Sequence, residues 1–274
     1  MEFISFCRAH GVLIDIPPPL GVWRRYPTDD HPKKRNGAVK WMGDHGFVQN
    51  HAIDTEVSVW QPDASVKVDR AKIAKDLAAV DAKRKADQDD AIRRAAFIMS
   101  QTLLAKHPYL DKKGFVGAED LVWGHEGKKT LVVPMRVGGH LVGCQLIEED
   151  GSKKFLYGQR TSNAELVIDN KGPHILCEGY ATALSIQAAF SKMSRRYTIH
   201  VCFSAGNMKK VAQGLPDGLI VADNDESGTG ERVAKEIGWP YWMSDVVGED
   251  ANDTHQRVGL LRLGLSLVKS LKLV

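Results

Sequence analysis

After Lys171 the chain repeats one pattern that leaves few folds open: a short, wholly apolar run followed by a stretch long enough for an amphipathic helix. "HILCEG" leads into "ATALSIQAAFSKM", "IHVCFSAG" into the segment around "MKKVAQG", and "GLIVADND" into residues 231–238. "PYWM" comes last, before "RVGLLRLGLSLVKSL". Strands that are apolar on both faces cannot lie at a surface. Alternated with helices, they form a parallel sheet covered on both sides. The expected fold class is α/β, a parallel sheet with flanking helices.

The preceding residues obey other rules. "IDIPPPLGVW" cannot be helical through three prolines, and "RNGAVKWMGDHGFVQNHA" has the turn and alternation of a small antiparallel sheet. Residues 1–66 are therefore expected to form a small β-rich domain. Residues 67–106 lack Gly and Pro and are rich in Ala, Lys, Asp and Leu, which predicts a helical linker. Its charged first half is expected in solvent, with Ile92 to Leu104 packed on the second globular part of the chain. "KKTLVVPMRVGGHLVGCQLIEEDGSKKFLYGQR", with Gly-Gly and Asp-Gly turns, predicts a strand meander within a subdomain of residues 107–171. The alternating segment, 172–274, is the last domain.

In open parallel sheets ligands collect at the carboxyl ends of the strands. Three such ends carry acid here: Glu178 before Gly179, then Asp223 and Asp225, then Asp250 and Asp253 in "GEDANDTH". Carboxylates brought together resist ionising without a cation. Magnesium accepts one or two of them and leaves its other positions to water and phosphate oxygens. Gly228 and Gly230 would let the chain turn tightly and bring phosphate near the backbone. Magnesium or manganese is the expected cofactor.

Taken as an ordered set, "CEGYATALSI" and "ADNDESGTGE" resemble the glutamate and D-x-D motifs of the Toprim domain shared by primases, topoisomerases and some nucleases. "HPYLDKKG", "LVVPMR" and "LVGCQLIEEDGSKKFLYG" are similar to the segment before Toprim in phage and plasmid primases, so the resemblance covers roughly residues 90–260. It implies a DNA primase of the bacterial, phage or plasmid type: a DNA-directed RNA polymerase making short RNA primers on single-stranded DNA by two-metal-ion nucleotidyl transfer. Glu178, Asp223 and Asp225 would be catalytic. All three, with Asp250 and Asp253, would hold metal. Lys128, Lys129, Arg136, Lys153, Lys154 and Arg160 would face template or nucleotide. Nucleoside triphosphates and a separate replicative helicase are the implied partners.

Two departures from the family accompany this. Where family primases carry a zinc ribbon, this chain has His31, His45 and His51 but no cysteine, so no zinc is expected. Trp23, Trp41, Phe47 and Trp60 could stack bases there or simply form a core. No G-x-x-x-x-G-K-[ST] occurs, which excludes a fused helicase motor of that class. A Toprim nuclease or hydrolase and a non-catalytic strand-binding module remain the alternatives, and the chain is short for a topoisomerase. The formal net charge of +3, with its surplus in residues 1–113, permits nucleic-acid binding without announcing it. The four cysteines are far apart and expected to be free thiols. No window approaches the roughly 18 apolar residues of a membrane span, and the amino terminus has no secretory pattern, so a cytoplasmic location is expected.

Overall fold

A computed structural model describes residues 1–271 apart from 52, 54, 55 and 63–69. The chain divides into two compact units, Met1–Ala86 and Asp87–Val274.

In the first unit, helix α1 (Phe3–Ala9) accompanies four antiparallel strands: β1 (Trp23–Tyr26), β2 (Gly37–Trp41), β3 (Gly46–Asn50) and β4 (Ser58–Trp60), in that spatial order. Their core is Phe3, Cys7, Val12, Ile14, Val39, Val48 and Trp60. The Phe3 ring lies 4.6 Å from Trp41 and 5.4 Å from Trp60, and Phe47 is fully buried. Most of the aromatic set thus packs on itself. His45 is buried against Asp44 and Asp76, whereas burial and then Arg25 lower the pKa of His51 to about 4.

Helix α2 (Arg70–Ser100) runs across the boundary between the units. Its last turns bury Ala91, Ala95 and Ile98, spaced i, i+4, i+7, and Ala95 and Ile98 pack with Val132 and Cys144. The helix ends at Ser100, however. Thr102–Lys106 forms strand β5, with Leu103 75% and Leu104 69% exposed, so the sequence expectation of helix through residue 106 is corrected. Backbone pairing with the next strand outweighs a weak local helix preference.

The second unit holds two sheets. Strands β5, β6 (Glu119–His125), β7 (Lys128–Val137), β8 (His140–Ile147) and β9 (Lys153–Phe155) form an antiparallel meander, with the short helix α3 (Pro108–Lys112) between the first two. Gly138 and Gly139, both at positive φ, make the two-residue turn between β7 and β8. Asp150 and Gly151 turn the chain into β9, where Asp150 accepts a hydrogen bond from Ser152 N–H and Glu148 pairs through its backbone with Gly151 and Ser152.

The other sheet has the order β10-β12-β11-β13-β14: β10 (Leu166–Asp169), β11 (His174–Cys177), β12 (Thr198–Val201), β13 (Leu219–Ala222) and β14 (Tyr241–Met243). β10 is antiparallel to β12, and the other four are mutually parallel. Helices α4 (Tyr180–Lys192) and α8 (Leu260–Leu271) cover one face, packing Ile186, Phe190, Leu263 and Leu267 on Ile175, Ile199 and Leu219. Helices α5 (Ala205–Ala212) and α6 (Thr229–Ile237) cover the other, packing Met208, Val211, Val233 and Ala234 on Leu176, Ile220 and Ala222. Each fully buried aliphatic side chain contributes about 1.5–3 kcal/mol. Gly259 separates α8 from α7 (Ala251–Val258), although the run "RVGLLRLGLSLVKSL" predicts a single helix. Leu131, Val133 and Ile147 of the meander share the core beneath α4, which joins the two sheets into one body.

Candidate active site

The route of the chain makes the site. β11 and β13 are neighbours, with Cys177 opposite Val221. At its carboxyl end β11 turns toward α4 on one face, whereas β13 turns toward α6 on the other. Between such opposed exits the sheet edge opens into a crevice. Glu178 stands one residue past β11 and Asp223 one residue past β13, so both flank it.

Asp223 is the centre of this site. Its Oδ1 is buried with no hydrogen-bond partner. Burial first, then the charges of Glu178, Asp250 and Asp225, push its carboxyl up to about 7, while Lys153 opposes them. Gly230 explains the close seat of α6: a Cβ there would lie 2.5 Å from the Asp223 carbonyl oxygen. That corrects the expected role of Gly230, whose missing side chain admits the chain's own backbone. Gly228 does make a left-handed turn, at φ 61°.

Asn224, between the two aspartates, stitches this edge to the loop after β14. It donates from Nδ2 to Ser244 O (3.0 Å) and from its backbone to Glu249 O (3.2 Å), and it accepts from Gly248 N. The stitch brings Asp250 beside Asp223. Asp250 and Asp253 cap α7 reciprocally, each carboxylate accepting from the other's backbone N–H. Asp225 is exposed and accepts from Ser227 Oγ at 2.7 Å. Beneath the crevice, burial and then the charges of Asp223, Glu178 and Asp250 hold the Cys177 thiol well above its ordinary range, so it is a neutral floor.

The six expected cationic residues separate. Lys153 faces the carboxylates: its charge couples to Asp250, Asp223 and Glu178, and its ammonium lies 6.0 Å from the Tyr109 ring centroid. The side chain keeps solvent contact, but desolvation of its ammonium end by burial, then the charge of Lys113, lowers its pKa. Lys154, one residue on, pairs with Glu148 at 3.8 Å. Lys128 and Lys129 open β7 beside the Glu126–Gly127 turn. Arg136 donates to Gly139 O and Arg160 to Ser162 O.

Tyr109 and Lys113 escape sequence reasoning. The Tyr109 hydroxyl is buried without a partner, and burial together with Asp250 holds it up to about 12. Fully buried Asn252 fixes that corner, donating to Lys113 O (2.8 Å) and Ser185 Oγ (3.0 Å). Only the tyrosine inside "HPYLDKKG" hints at this, because 139 residues separate Asn252 from Lys113.

Among the described residues no three His, Cys, Asp or Glu side chains form a ready metal cage. Magnesium does not require one, since it commonly takes one or two protein carboxylates and keeps its waters. The Asp223 carboxyl, with its buried Oδ1 unpartnered and Glu178 one strand away, fits that donor set.

Residues 174–260 match the family described as Toprim domain. Two Escherichia coli proteins, both named DNA primase TraC, are 26% and 24% identical to the chain over 199 residues. These alignments cover 66% of this chain but 18% and 13% of the relatives, so the chain spans less than a fifth of their length. Among the described residues no helix is long and apolar enough to cross a membrane.

Proposed function

We propose, from the match of residues 174–260 to the Toprim domain family, that the chain is a primase-type nucleotidyltransferase that joins ribonucleotides into short primers on single-stranded DNA. One observation carries the reading: the buried, unpartnered oxygen of Asp223, in a crevice whose charge is coupled to Glu178 on one side and Lys153 on the other. The substrate class is taken from the name of the relatives.

Glu178, Asp223 and Asp225 would hold the cation, with Asp250 and Asp253 supplying further negative potential from the α7 cap. A bound magnesium or manganese ion supplies charge neutralisation of phosphate oxygens and acidifies a primer 3′-hydroxyl. The protein's own part is positional. Glu178 accepts the proton leaving the 3′-oxygen. Lys153 holds a phosphate of the nucleoside triphosphate against the carboxylate edge, so that pyrophosphate departs toward a fixed positive charge. Lys128, Lys129, Arg136, Lys154 and Arg160 contribute salt-sensitive, sequence-independent affinity for the template backbone. A separate replicative helicase would deliver that template.

The test is incubation of the protein with single-stranded templates, labelled nucleoside triphosphates and magnesium or manganese. Short labelled oligoribonucleotides, lost in Asp223→Ala while template binding persists, are expected. Template degradation would instead identify a hydrolase, and retention without turnover a binding module. Equal synthesis by Asp223→Ala would remove the role given to the carboxylates.

A further inference from the structure

Next to the carboxylate edge stands an aromatic pair that the proposed chemistry leaves unused. Successive residues of a strand point to opposite faces. Lys153 faces Glu178 and Asp223, so Phe155, two residues on in β9, presents its ring to the same side. That ring is 44% exposed. It meets Phe203 edge to face, with centroids 6.3 Å apart and an interplanar angle of 84°.

Phe203 is itself unusual. It comes just after β12 with φ 63°, a left-handed conformation that bulky side chains rarely adopt. Two contacts hold it there: its N–H donates to Glu178 O at 2.9 Å, and its side chain packs on the Met135, Val142 and Ala164 cluster. Residues strained in this way gather at functional sites when their surroundings over-determine them. Here one strained residue both fixes the backbone of Glu178 and braces the exposed ring of Phe155.

The neighbourhood suits a polyanion bearing flat bases. Lys153 shares the Phe155 face of β9, Tyr157 and Arg160 follow in the chain, and Tyr157 is 68% exposed. Cations along a backbone, with aromatic faces between them, are how single strands are held without sequence preference.

We propose that Phe155, braced by Phe203, is a stacking platform for one base of a single-stranded DNA, holding that strand in register with the Glu178–Asp223 edge. The platform rests on the primase reading and adds a named subsite to it.

Fluorescence anisotropy with a labelled oligodeoxythymidylate, and with the same strand made abasic at one position at a time, tests the platform. Wild-type protein should bind the intact strand about ten-fold more tightly than one abasic at the stacked position, within the range of base–aromatic stacking. Phe155→Ala should lose about ten-fold on the intact strand and no longer distinguish the two. Phe155→Trp should keep the distinction and Phe155→Leu should not, which separates a π face from mere apolar bulk. Lys153→Ala should weaken both strands equally and flatten the salt dependence. Phe155 is half-exposed, so thermal melts of these variants should match the wild type. Phe155→Ala binding like wild type, or Phe155→Leu as well as Phe155→Trp, would overturn the platform while primer synthesis kept the primase reading intact. Failure of the wild type to bind any strand would overturn both.

Discussion

At the scale of single residues, Asp223 and Lys153 decide the behaviour of the site. The Asp223 carboxyl is raised from 3.8 to about 7, first by burial and then by its acidic neighbours. Between those values the folded protein holds a proton that the unfolded chain has lost. Metal-free stability therefore falls as pH rises through about 4 to 7 and levels off above. Asp223→Asn should remove that slope and raise stability at pH 8 by about 1–3 kcal/mol, as read from urea unfolding at several pH values. A wild-type curve flat across the window would refute the assignment. Magnesium must displace the same proton, so its apparent affinity should climb over that range. The lysine pair gives a second outcome. Lys153→Ala should raise KM for nucleoside triphosphate about ten-fold or more, whereas Lys154→Ala, paired to Glu148 on the other face, should change it less than about two-fold.

At the scale of elements, the apolar strand runs and the acids that end them are legible in sequence, because a parallel sheet covered on both faces admits a polar side chain within a strand only where it finds a partner, as buried His200 of β12 does in Glu165. β12 and β13 are buried at every position, and Glu178 and Asp223 come directly after strands. The division between Lys153 and Lys154 is not legible, since strand phase depends on where the preceding turn starts the pairing. Nor are Tyr109, which meets Lys153 across the fold, and Lys113, whose carbonyl is held by the Asn252 side chain. Thr102–Lys106 misleads because its composition suits a helix while its partner strand lies elsewhere in sequence. Gly230 is a sharper case. Alanine would favour the helix by about 1 kcal/mol, yet its Cβ would stand 2.5 Å from Asp223 O, and overpacking costs about 1–3 kcal/mol. Gly230→Ala should be net destabilising and should weaken divalent-cation binding, measured by denaturation and calorimetry. Asn252→Ala, which removes the donor to Lys113 O and Ser185 Oγ while leaving Ser185 its contact with His255, should cost about 1–2 kcal/mol.

For the whole molecule, the boundary inside α2 matters most. The clusters around both sheets of Asp87–Val274 lie within that unit, and so do all the proposed site residues. A chain beginning at Asp87 should unfold in one cooperative transition and show the same magnesium-dependent rise in Tm as the full chain. A broad, non-cooperative melt would mean that Met1–Ala86 contributes to the fold of the second unit. Within that unit, the Asp150–Gly151 turn does more than reverse direction. It sets the parity of β9, so one residue inserted there would rotate every later side chain of the strand to the opposite side. Lys154 would then meet the acids, Phe155 would look away, and the strand would be mirror-phased without any chemical group having been removed.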